Sequence, residues 1–260
     1  MNNINSTMKN FFLSSAMLLL VAGCASAPPD DPLEPFNRSM FSFNEKLDDV
    51  VTKPAAKAYV AVTPAPVRTW VSNFFSNLQD PWISFNNLLQ GKPTDALNDL
   101  MRFVFNSTLG IGGLLDIASE AGLPKHDEDF GQTLGVWGVK EGSFIVLPLL
   151  GPRTVRDTVA MPLDSAAESP WSLPYGDPMV RDSATRYGIS GLKLLNSRAR
   201  VLGLERTLDE GTLDKYRYAR DFYLQQRRFK VYDGNPPLEY DDFDPDEDVA
   251  ETPQEPGENQ

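Results

Sequence analysis

The 260-residue chain predicts a mostly α-helical protein with an amino-terminal export signal and an acidic carboxyl-terminal tail. Apolar residues recur every three or four positions through most of residues 34–231, which is the spacing that gives a helix one apolar face. An apolar run near the amino terminus ends at the only cysteine, Cys24. From residue 232 onward the chain holds eleven acidic residues and no lysine or arginine. These features divide the chain into four parts.

Residues 1–23 have the pattern of a bacterial lipoprotein signal peptide. Lys9 precedes the run FFLSSAMLLLVAG, which is short for a transmembrane helix. Because small residues stand directly before Cys24, as in a lipobox, we expect diacylglycerol on its thiol and an acyl chain on its amine. Each acyl methylene buried in lipid contributes about 0.8 kcal/mol, so these chains hold a protein on a bilayer. Ala25 follows the cysteine where retention at the inner membrane would favour aspartate, so the outer membrane is the expected destination.

The mature chain begins with a proline-rich lipidated spacer, residues 24–33. Residues 34–231 are expected to form the helical domain, and residues 24–231 together hold 23 basic and 25 acidic side chains, which is nearly neutral. Residues 232–260 therefore contribute −11 of the net charge of −12. We expect this tail to be disordered, because its proline and acidic residues leave little apolar area to bury.

The first half of the domain predicts four helices. Helical spacing covers Phe36 to Val51, and Thr63-Pro64 is a start signal for the next helix. Asp80-Pro81 is expected to break that helix in two, and Gly91 to end its second part. The next helix is expected to begin at Thr94. The apolar positions are Phe36, Met40, Phe43, Leu47 and Val50, then Val67, Trp70, Val71, Phe74, Phe75 and Leu78, then Trp82, Phe85, Leu88 and Leu89, then Ala96 to Phe105.

The second half predicts a hairpin and two more helices. Alternating residues around Lys140-Glu141-Gly142 favour a short β-hairpin near 134–147. A long helix is expected from Asp177-Pro178 toward Leu202, and a last one from about Thr212 to Lys230, with Leu213, Tyr216, Ala219, Tyr223 and Phe229 toward its buried side. The longest apolar run of the mature chain, FIVLPLL, is far below the roughly 20 residues that span a bilayer.

No residue pattern favours catalysis or metal binding. The one histidine, His126, lies in the polar segment PKHDEDFG, and we expect a solvated loop histidine and not a base oriented by Asp127 or Asp129. Zinc needs three or four nitrogen or sulfur ligands, which one histidine and a lipidated cysteine do not supply. The segment from Gly110 to Gly113 lacks the spacing of a dinucleotide-binding loop and is predicted to be a turn.

The stretch WVSNFFSNLQDPWISFNNLLQG, residues 70–91, combines aromatic residues with asparagines. A nucleic-acid surface needs cations, and this stretch has none. An aromatic stripe at helical spacing is commonly core, whereas tryptophan and asparagine beside a lipid anchor also suit a bilayer interface. The basic segment of the last helix, with Arg217, Arg220, Arg227, Arg228 and Lys230, fits either a helix carboxyl end or docking to an acidic group.

Several ordered motifs resemble the VacJ/MlaA family of outer-membrane lipoproteins. They are DPLEPFNRSMFSFN at 31–44, NLLQGKPTDA at 87–96, RFVFNSTLGIGGLLDIA at 102–118, FGQTLGVWGV at 130–139 and LPLLGPRTVRD at 147–157. The resemblance implies a ring-like helical bundle embedded in the periplasm-facing leaflet of the outer membrane. It also implies an amphipathic channel that takes misplaced phospholipids from the outer leaflet to a soluble periplasmic carrier. The implied partners include a trimeric porin, and neither cofactor nor bond chemistry is implied.

The resemblance also suggests residue roles. Met40, Phe41, Phe43 and Asn44 are expected at the channel wall, with the segment from Gly138 to Gly142 as a movable hairpin beside it, flanked by Trp137 and Phe144. Arg198 could meet the lipid phosphate or form a surface salt bridge. Two other functions stay open: a static scaffold lipoprotein whose aromatics are only core, and a phospholipase that depends on His126, which we do not expect.

Overall fold

The computed structural model describes residues 31–168, 183–203 and 214–237, and these are mostly helical, as predicted. The signal peptide, Cys24, most of the spacer and most of the acidic tail lie outside the described residues. The elements are α1 (Glu34–Leu47), a π-helix (Asp48–Thr52), α2 (Lys53–Val62), α3 (Ala65–Leu89), α4 (Pro93–Thr108), α5 (Ile117–Glu120), α6 (Phe130–Val136), β1 (Phe144–Leu147), β2 (Gly151–Thr154), α7 (Val155–Glu168), α8 (Ser183–Val201) and α9 (Lys215–Val231).

The helix predicted over residues 36–51 is present, and it continues through a π-helix into α2. Pro54 stands in the first turn of α2 and has no backbone N–H to donate to the preceding turn. The wider π-helical turn comes directly before it, and the Lys53 N–H bonds to the Asp48 carbonyl oxygen five residues back. The proline therefore coincides with a local change in helix width and not with a break.

The prediction that Asp80-Pro81 breaks the third helix is wrong, because α3 runs through Pro81 without interruption. Asp80 does not cap a new helix. Its side chain is 1% exposed and is paired with Lys125, which lies outside the helix. Pro81 removes one hydrogen bond, and packing of α3 against α4 along its length offsets that loss.

A hairpin exists, but its turn lies further along the chain than predicted. β1 pairs with β2 in antiparallel register, with Phe144 opposite Thr154 and Leu147 opposite Gly151. The segment 140–142, predicted as the turn, instead anchors α7: the Glu141 carbonyl accepts a hydrogen bond from Arg156 N at 3.1 Å. The real turn is residues 148–150, and Gly151 after it has a positive φ of 79°.

The last two helices occur where the pattern placed them. The described part of α8 begins at Ser183, so the predicted start at Asp177-Pro178 lies outside the described residues. Asp214 caps α9 and accepts a hydrogen bond from Arg217 N at 3.1 Å. Tyr216 is buried as expected, whereas Phe229 is 57% exposed. Within the described ranges, no helix is long and apolar enough to cross a membrane.

The packing is unusual in what it buries. Among the described residues, the fully covered side chains are mainly polar or charged, including several asparagines and aspartates. Large apolar side chains, by contrast, are exposed on nearly every helix. The main apolar cluster joins β1 to α1 and α9 through Phe144, Val146 and Tyr216, with Met40, Phe41, Tyr223 and Leu224 packed against it.

Candidate functional site

Helix α3 has a polar face and an apolar face, and the polar face points into the protein. The apolar face carries Trp70, Phe85 and Leu88, which are 43%, 47% and 58% exposed. The polar face follows helical spacing along the whole helix. Its polar members are Arg68, Thr69, Ser72, Asn73, Ser76, Asn77, Asp80, Asn86 and Asn87. The aromatic stripe of residues 70–91 is therefore only partly core: Phe75 is buried, whereas Trp70 and Phe85 are exposed.

The second half of this polar face is closed by hydrogen bonds to other elements. Asn87 Nδ2 donates to Asp99 Oδ2 at 2.8 Å, and Asn77 Nδ2 donates to Ser107 Oγ at 2.9 Å, both on α4. Asn86 Oδ1 accepts from the Thr133 hydroxyl at 2.8 Å. Buried amides are stable only with such partners, so the asparagines fix how α3 lies on its neighbours.

Arg102 is the buried cation of the α3–α4 region. Its side chain is 3% exposed and donates to both carboxylate oxygens of Asp116, at 2.9 and 3.0 Å. It also donates to the Leu123 carbonyl at 2.6 Å and to the Ser119 hydroxyl at 3.1 Å. Paired, bidentate contacts of this kind compensate for the cost of removing a charge from water.

The first half of the same polar face is open. It lines a cavity of about 530 Å³ between α3 and the end of α8, which we call the α3–α8 groove. Its walls are Ala65, Arg68, Thr69, Ser72, Asn73 and Ser76 of α3, and Asn196, Ala199 and Arg200 of α8. One continuous helix face thus changes from an open polar groove to a closed polar interface.

The structure brings four of the predicted channel residues together. Phe41 and Phe144 both lie against the ring of Tyr216, with centroids 5.9 and 6.2 Å away, and Met40 packs on the same cluster. Asn44 holds the hairpin turn: its Nδ2 donates to the Leu147 carbonyl at 2.9 Å, and its Oδ1 accepts from Leu149 N at 2.8 Å. Phe43 is separate and 48% exposed. Their role in a channel wall stays a prediction.

The segment from Trp137 to Gly142 is a loop between α6 and β1, and not the hairpin predicted there. Trp137 is 54% exposed, and its Nε1 donates to the Leu89 carbonyl at 3.0 Å. Gly138 and Gly142 have positive φ values of 90° and 70°, which glycine adopts without strain. Glu141 ties the loop to α9 through Arg228 at 3.1 Å. Whether this loop moves stays a prediction.

That loop borders a second cavity, of about 920 Å³, against the carboxyl half of α9. Its walls include Gly135, Gly138, Val139, Phe222, Phe229 and Tyr232. Gly138 therefore belongs to a cavity wall. Phe41, Phe43 and Arg198 do not line this cavity.

Arg198 forms a salt bridge, one of the two roles weighed for it. Its Nε and Nη2 donate to the two oxygens of Asp48 at 2.7 and 2.6 Å, which joins α8 to the π-helix. This pairing positions α8 beside α2 and α3. Contact with a lipid phosphate stays a prediction for this residue.

His126 is not the solvated loop histidine that the sequence predicts. Its side chain is 24% exposed, and its Nδ1 lies 3.0 Å from Oδ2 of the fully buried Asp99. Its Nε2 lies 3.6 Å from Asp95. Both carboxylates come from α4, far from the histidine in sequence, so local spacing could not reveal them. The histidine anchors the loop after α5 to the closed polar interface.

Part of the basic segment of α9 is buried and not free for docking. Arg227 donates to Asp129 Oδ1 at 2.9 Å and to Asp157 Oδ1 at 2.8 Å, which joins α9 to α6 and α7. Burial raises the pKa of both carboxyls, but the Arg227 guanidinium, with hydrogen bonds from Gln132 to Asp129 and from Tyr223 to Asp157, outweighs it, so each pKa lies below its ordinary value. The cluster is therefore ionised at neutral pH and serves the packing.

Comparison with known proteins identifies the family. The family described as MlaA lipoprotein matches residues 29–230. The chain belongs to this family. A Haemophilus influenzae protein named intermembrane phospholipid transport system lipoprotein MlaA is 33% identical over 239 residues, 87% of this chain and 93% of that protein. The Escherichia coli K12 protein of the same name is 35% identical over 220 residues, 81% and 84% of the two chains.

A solved structure gives the same result for the fold. It concerns the structural basis for maintenance of bacterial outer membrane lipid asymmetry, and its chain is 34% identical to this one with a TM-score of 0.65. The match covers 77% of this chain and 98% of that chain. The resemblance drawn from the sequence motifs is confirmed.

The family motifs hold turns of this chain, and the motif over 130–139 also contributes to the wall of the second cavity. In the motif over 102–118, Asn106 Oδ1 accepts from Ala118 N at 2.9 Å, and the side chain of Arg102 holds the same turn. The α3–α8 groove lies outside every motif that carries the resemblance. Its Arg68 and Arg200 were missed, although the helical spacing of small and polar residues opposite the aromatic stripe is a signal that could have revealed the groove.

Proposed function

We propose that this chain is an outer-membrane lipoprotein that removes mislocalised phospholipids from the outer leaflet and so maintains lipid asymmetry. Relatives that align with most of its length are named for intermembrane phospholipid transport. Lipids pass through an amphipathic channel to a soluble periplasmic carrier. Acyl chains on Cys24 anchor the chain, and a trimeric porin holds it in place.

The observation that carries this proposal is the inverted distribution of polarity. Water-soluble proteins seldom expose large contiguous apolar patches, whereas a protein within lipid turns apolar side chains outward and polar ones inward. In α4, Leu97, Leu100 and Val104 form an outward stripe at 58%, 46% and 41% exposure. The opposite face of the same helix buries Asp99 and Arg102. This arrangement supports a ring lying within one leaflet.

A phospholipid needs two environments on its path. Its acyl chains need apolar walls, and its phosphate needs hydrogen-bond donors or cations. Exposed aromatic side chains of α1 and α3, and Trp137 in the loop after α6, provide the first, and the polar face of α3 provides the second. Adjacent surfaces of opposite polarity therefore favour lipid movement over a purely static scaffold.

The experiment replaces Phe43 with aspartate in bacteria that depend on this protein. Phe43 is half exposed, so the chain should fold, while a charge at the channel wall should oppose passage of acyl chains. Expected results are outer-leaflet phospholipid accumulation and detergent sensitivity, with normal protein levels in the outer membrane. Phe43→Leu is the matched control and should keep normal asymmetry.

Phe41→Asp does not serve this purpose, because Phe41 packs against the cluster around Tyr216 and its loss would unfold the chain. If Phe43→Asp kept normal lipid asymmetry, the channel-wall role of Phe43 would be wrong. If deletion of the whole protein also left asymmetry normal, a static scaffold would be the better description.

A further inference from the structure

The α3–α8 groove contains two guanidinium groups and no carboxylate. Its walls carry the cations Arg68 and Arg200, three hydroxyls and two amides. Neither arginine has an ion-pair partner within residues 31–168, 183–203 and 214–237. This differs from Arg38, Arg102, Arg198 and Arg227, each of which is paired with at least one carboxylate.

Arg68 is held in place while part of its charge stays available. Its Nη1 donates to the carbonyl oxygens of Val60 at 3.2 Å and Thr63 at 2.6 Å, at the carboxyl end of α2. These carbonyls have no partner within their own helix, so the arginine caps it. Its Nε and Nη2 have no acceptor in the described part of the chain.

The walls of the groove are fixed by contacts between three helices. Asn196 is 4% exposed; its Nδ2 donates to Ser72 Oγ at 2.7 Å, and its Oδ1 accepts from the Tyr59 hydroxyl at 3.0 Å. Arg198 on α8 is bound to Asp48. Arg200 lies one turn after Asn196 on the same side of α8, and Ala199 leaves space beside it. The groove is therefore built before any ligand arrives.

Two cations on a fixed polar wall favour an anion with several acceptor oxygens. Arginine binds phosphate through paired donors, and hydroxyls and amides add neutral hydrogen bonds. Val67 and Trp70, on the same turns of α3, are 36% and 43% exposed and offer apolar surface beside the polar wall. An anion that also carries acyl chains matches both surfaces.

We propose that the α3–α8 groove binds the phosphate group of a glycerophospholipid, with Arg68 and Arg200 as its cationic ligands. This assignment rests on the proposed function and gives the lipid path a headgroup site. The same phosphate chemistry could be supplied by inorganic phosphate, so the test separates the two sources.

The test measures binding to the full-length lipoprotein, purified in non-ionic detergent and phosphate-free buffer. The probes are dihexanoyl phosphatidylglycerol, dihexanoylglycerol without phosphate, and inorganic phosphate, each titrated by calorimetry. Arg200→Gln should weaken phosphatidylglycerol binding about tenfold, the effect of losing one charge-assisted contact. Arg68→Gln should act similarly, and Arg68→Lys should restore part of the affinity. Lys57→Gln removes an exposed charge outside the groove and should change nothing.

Each other outcome has a defined meaning. Equal phosphatidylglycerol affinity in the wild type, Arg200→Gln and Arg68→Gln overturns the groove and leaves the proposed function standing. No phospholipid binding by the wild-type lipoprotein contradicts both. Inorganic phosphate binding as tightly as the lipid, with the same loss in Arg200→Gln, overturns the lipid assignment in favour of a free-anion site. Equal loss of dihexanoylglycerol binding in Arg200→Gln would show a general structural defect and also overturn the assignment.

Discussion

Two regions of this protein are held together by opposite kinds of contact. The apolar cluster around Phe144 and Tyr216 joins a strand to two helices by burying rings against each other. The α3–α4 region is held by Asn77, Asn87 and Arg102, which bond to partners on α4 and the turn after it. In the first region the aromatic rings are packed inside, and in the second Trp70 and Phe85 are exposed.

The proposed function explains this difference by what lies outside each region. The cluster lies where α1, β1 and α9 cover one another, so apolar burial removes surface from contact with solvent. Under the proposed function the outward apolar face of α3 and α4 meets lipid, and the contacts on the inward face are polar. Without a hydrophobic driving force from water, helices in lipid associate through packing and hydrogen bonds.

The largest expected effect comes from Phe144→Ala in the apolar cluster. Phe144 is 4% exposed, and its ring contacts Tyr216 and Tyr223 at centroid distances of 6.2 and 6.1 Å. Loss of a buried ring costs about 4 kcal/mol through lost burial and the cavity left behind. Urea unfolding in mild detergent measures this free energy. Leu150→Ala, in the exposed hairpin turn, is the control and should change it by less than about 0.5 kcal/mol.

Arg102→Met should cost slightly less, about 3 kcal/mol, because it leaves the Leu123 carbonyl without its donor and Asp116 without its cationic partner. Methionine keeps much of the side-chain volume, so the loss reports polar contacts and not a cavity. Adding Asp116→Asn removes the unpaired charge and should recover about 1 kcal/mol or more. A single variant as stable as the wild type would mean that the segment after α4 is held by apolar packing after all.

The sequence predicts where most helices lie but not which face of each points inward. Periodicity located α1, α3, α4, α8 and α9, since it depends only on local spacing. It could not tell that the Trp70 face is exposed, because an apolar stripe facing lipid and one facing a core have the same period. The break predicted at Asp80-Pro81 and the position predicted for the hairpin turn were wrong, because both depend on tertiary contacts, those of Asp80 and of Glu141.

The candidate site was predictable to a similar degree. The motifs identified the family, because that identification needs only the order of the motifs along the chain. The ligand-facing arginines were not predicted, because Arg68 and Arg200 meet only after α3 and α8 pack together. Arg227 and His126 could be assigned only with their distant partners Asp157 and Asp99 in view.

Substitutions at two neighbouring glycines, Gly112 and Gly113, measure how closely the α3–α4 region packs. Gly112 and Gly113 both have positive φ, 68° and 89°, so alanine strains the backbone at either position. At Gly113 the added methyl would also lie 2.6 Å from Asn77 Nδ2, whereas at Gly112 nothing lies within 4 Å. We expect losses of about 1 kcal/mol for Gly112→Ala and about 2 kcal/mol for Gly113→Ala. Equal losses in urea unfolding would show that Asn77 has room to move away.

The smallest effect on stability, and the clearest on function, is expected on the outward stripe of α4. Replacing Leu97, Leu100 and Val104 with glutamine leaves the inward face intact, and glutamine forms helices well, so unfolding in detergent should change by less than about 1 kcal/mol. Partition onto phospholipid vesicles should nevertheless fall at least tenfold. Each of these apolar side chains is about half exposed, and burying that exposed half in lipid contributes roughly 1 kcal/mol. The measurement uses the Cys24→Ser chain, because acyl chains would dominate partition. Unchanged partition, together with lost stability, would show that this stripe packs against other protein surface. Both regions would then be stabilised by apolar side chains packed inside the protein.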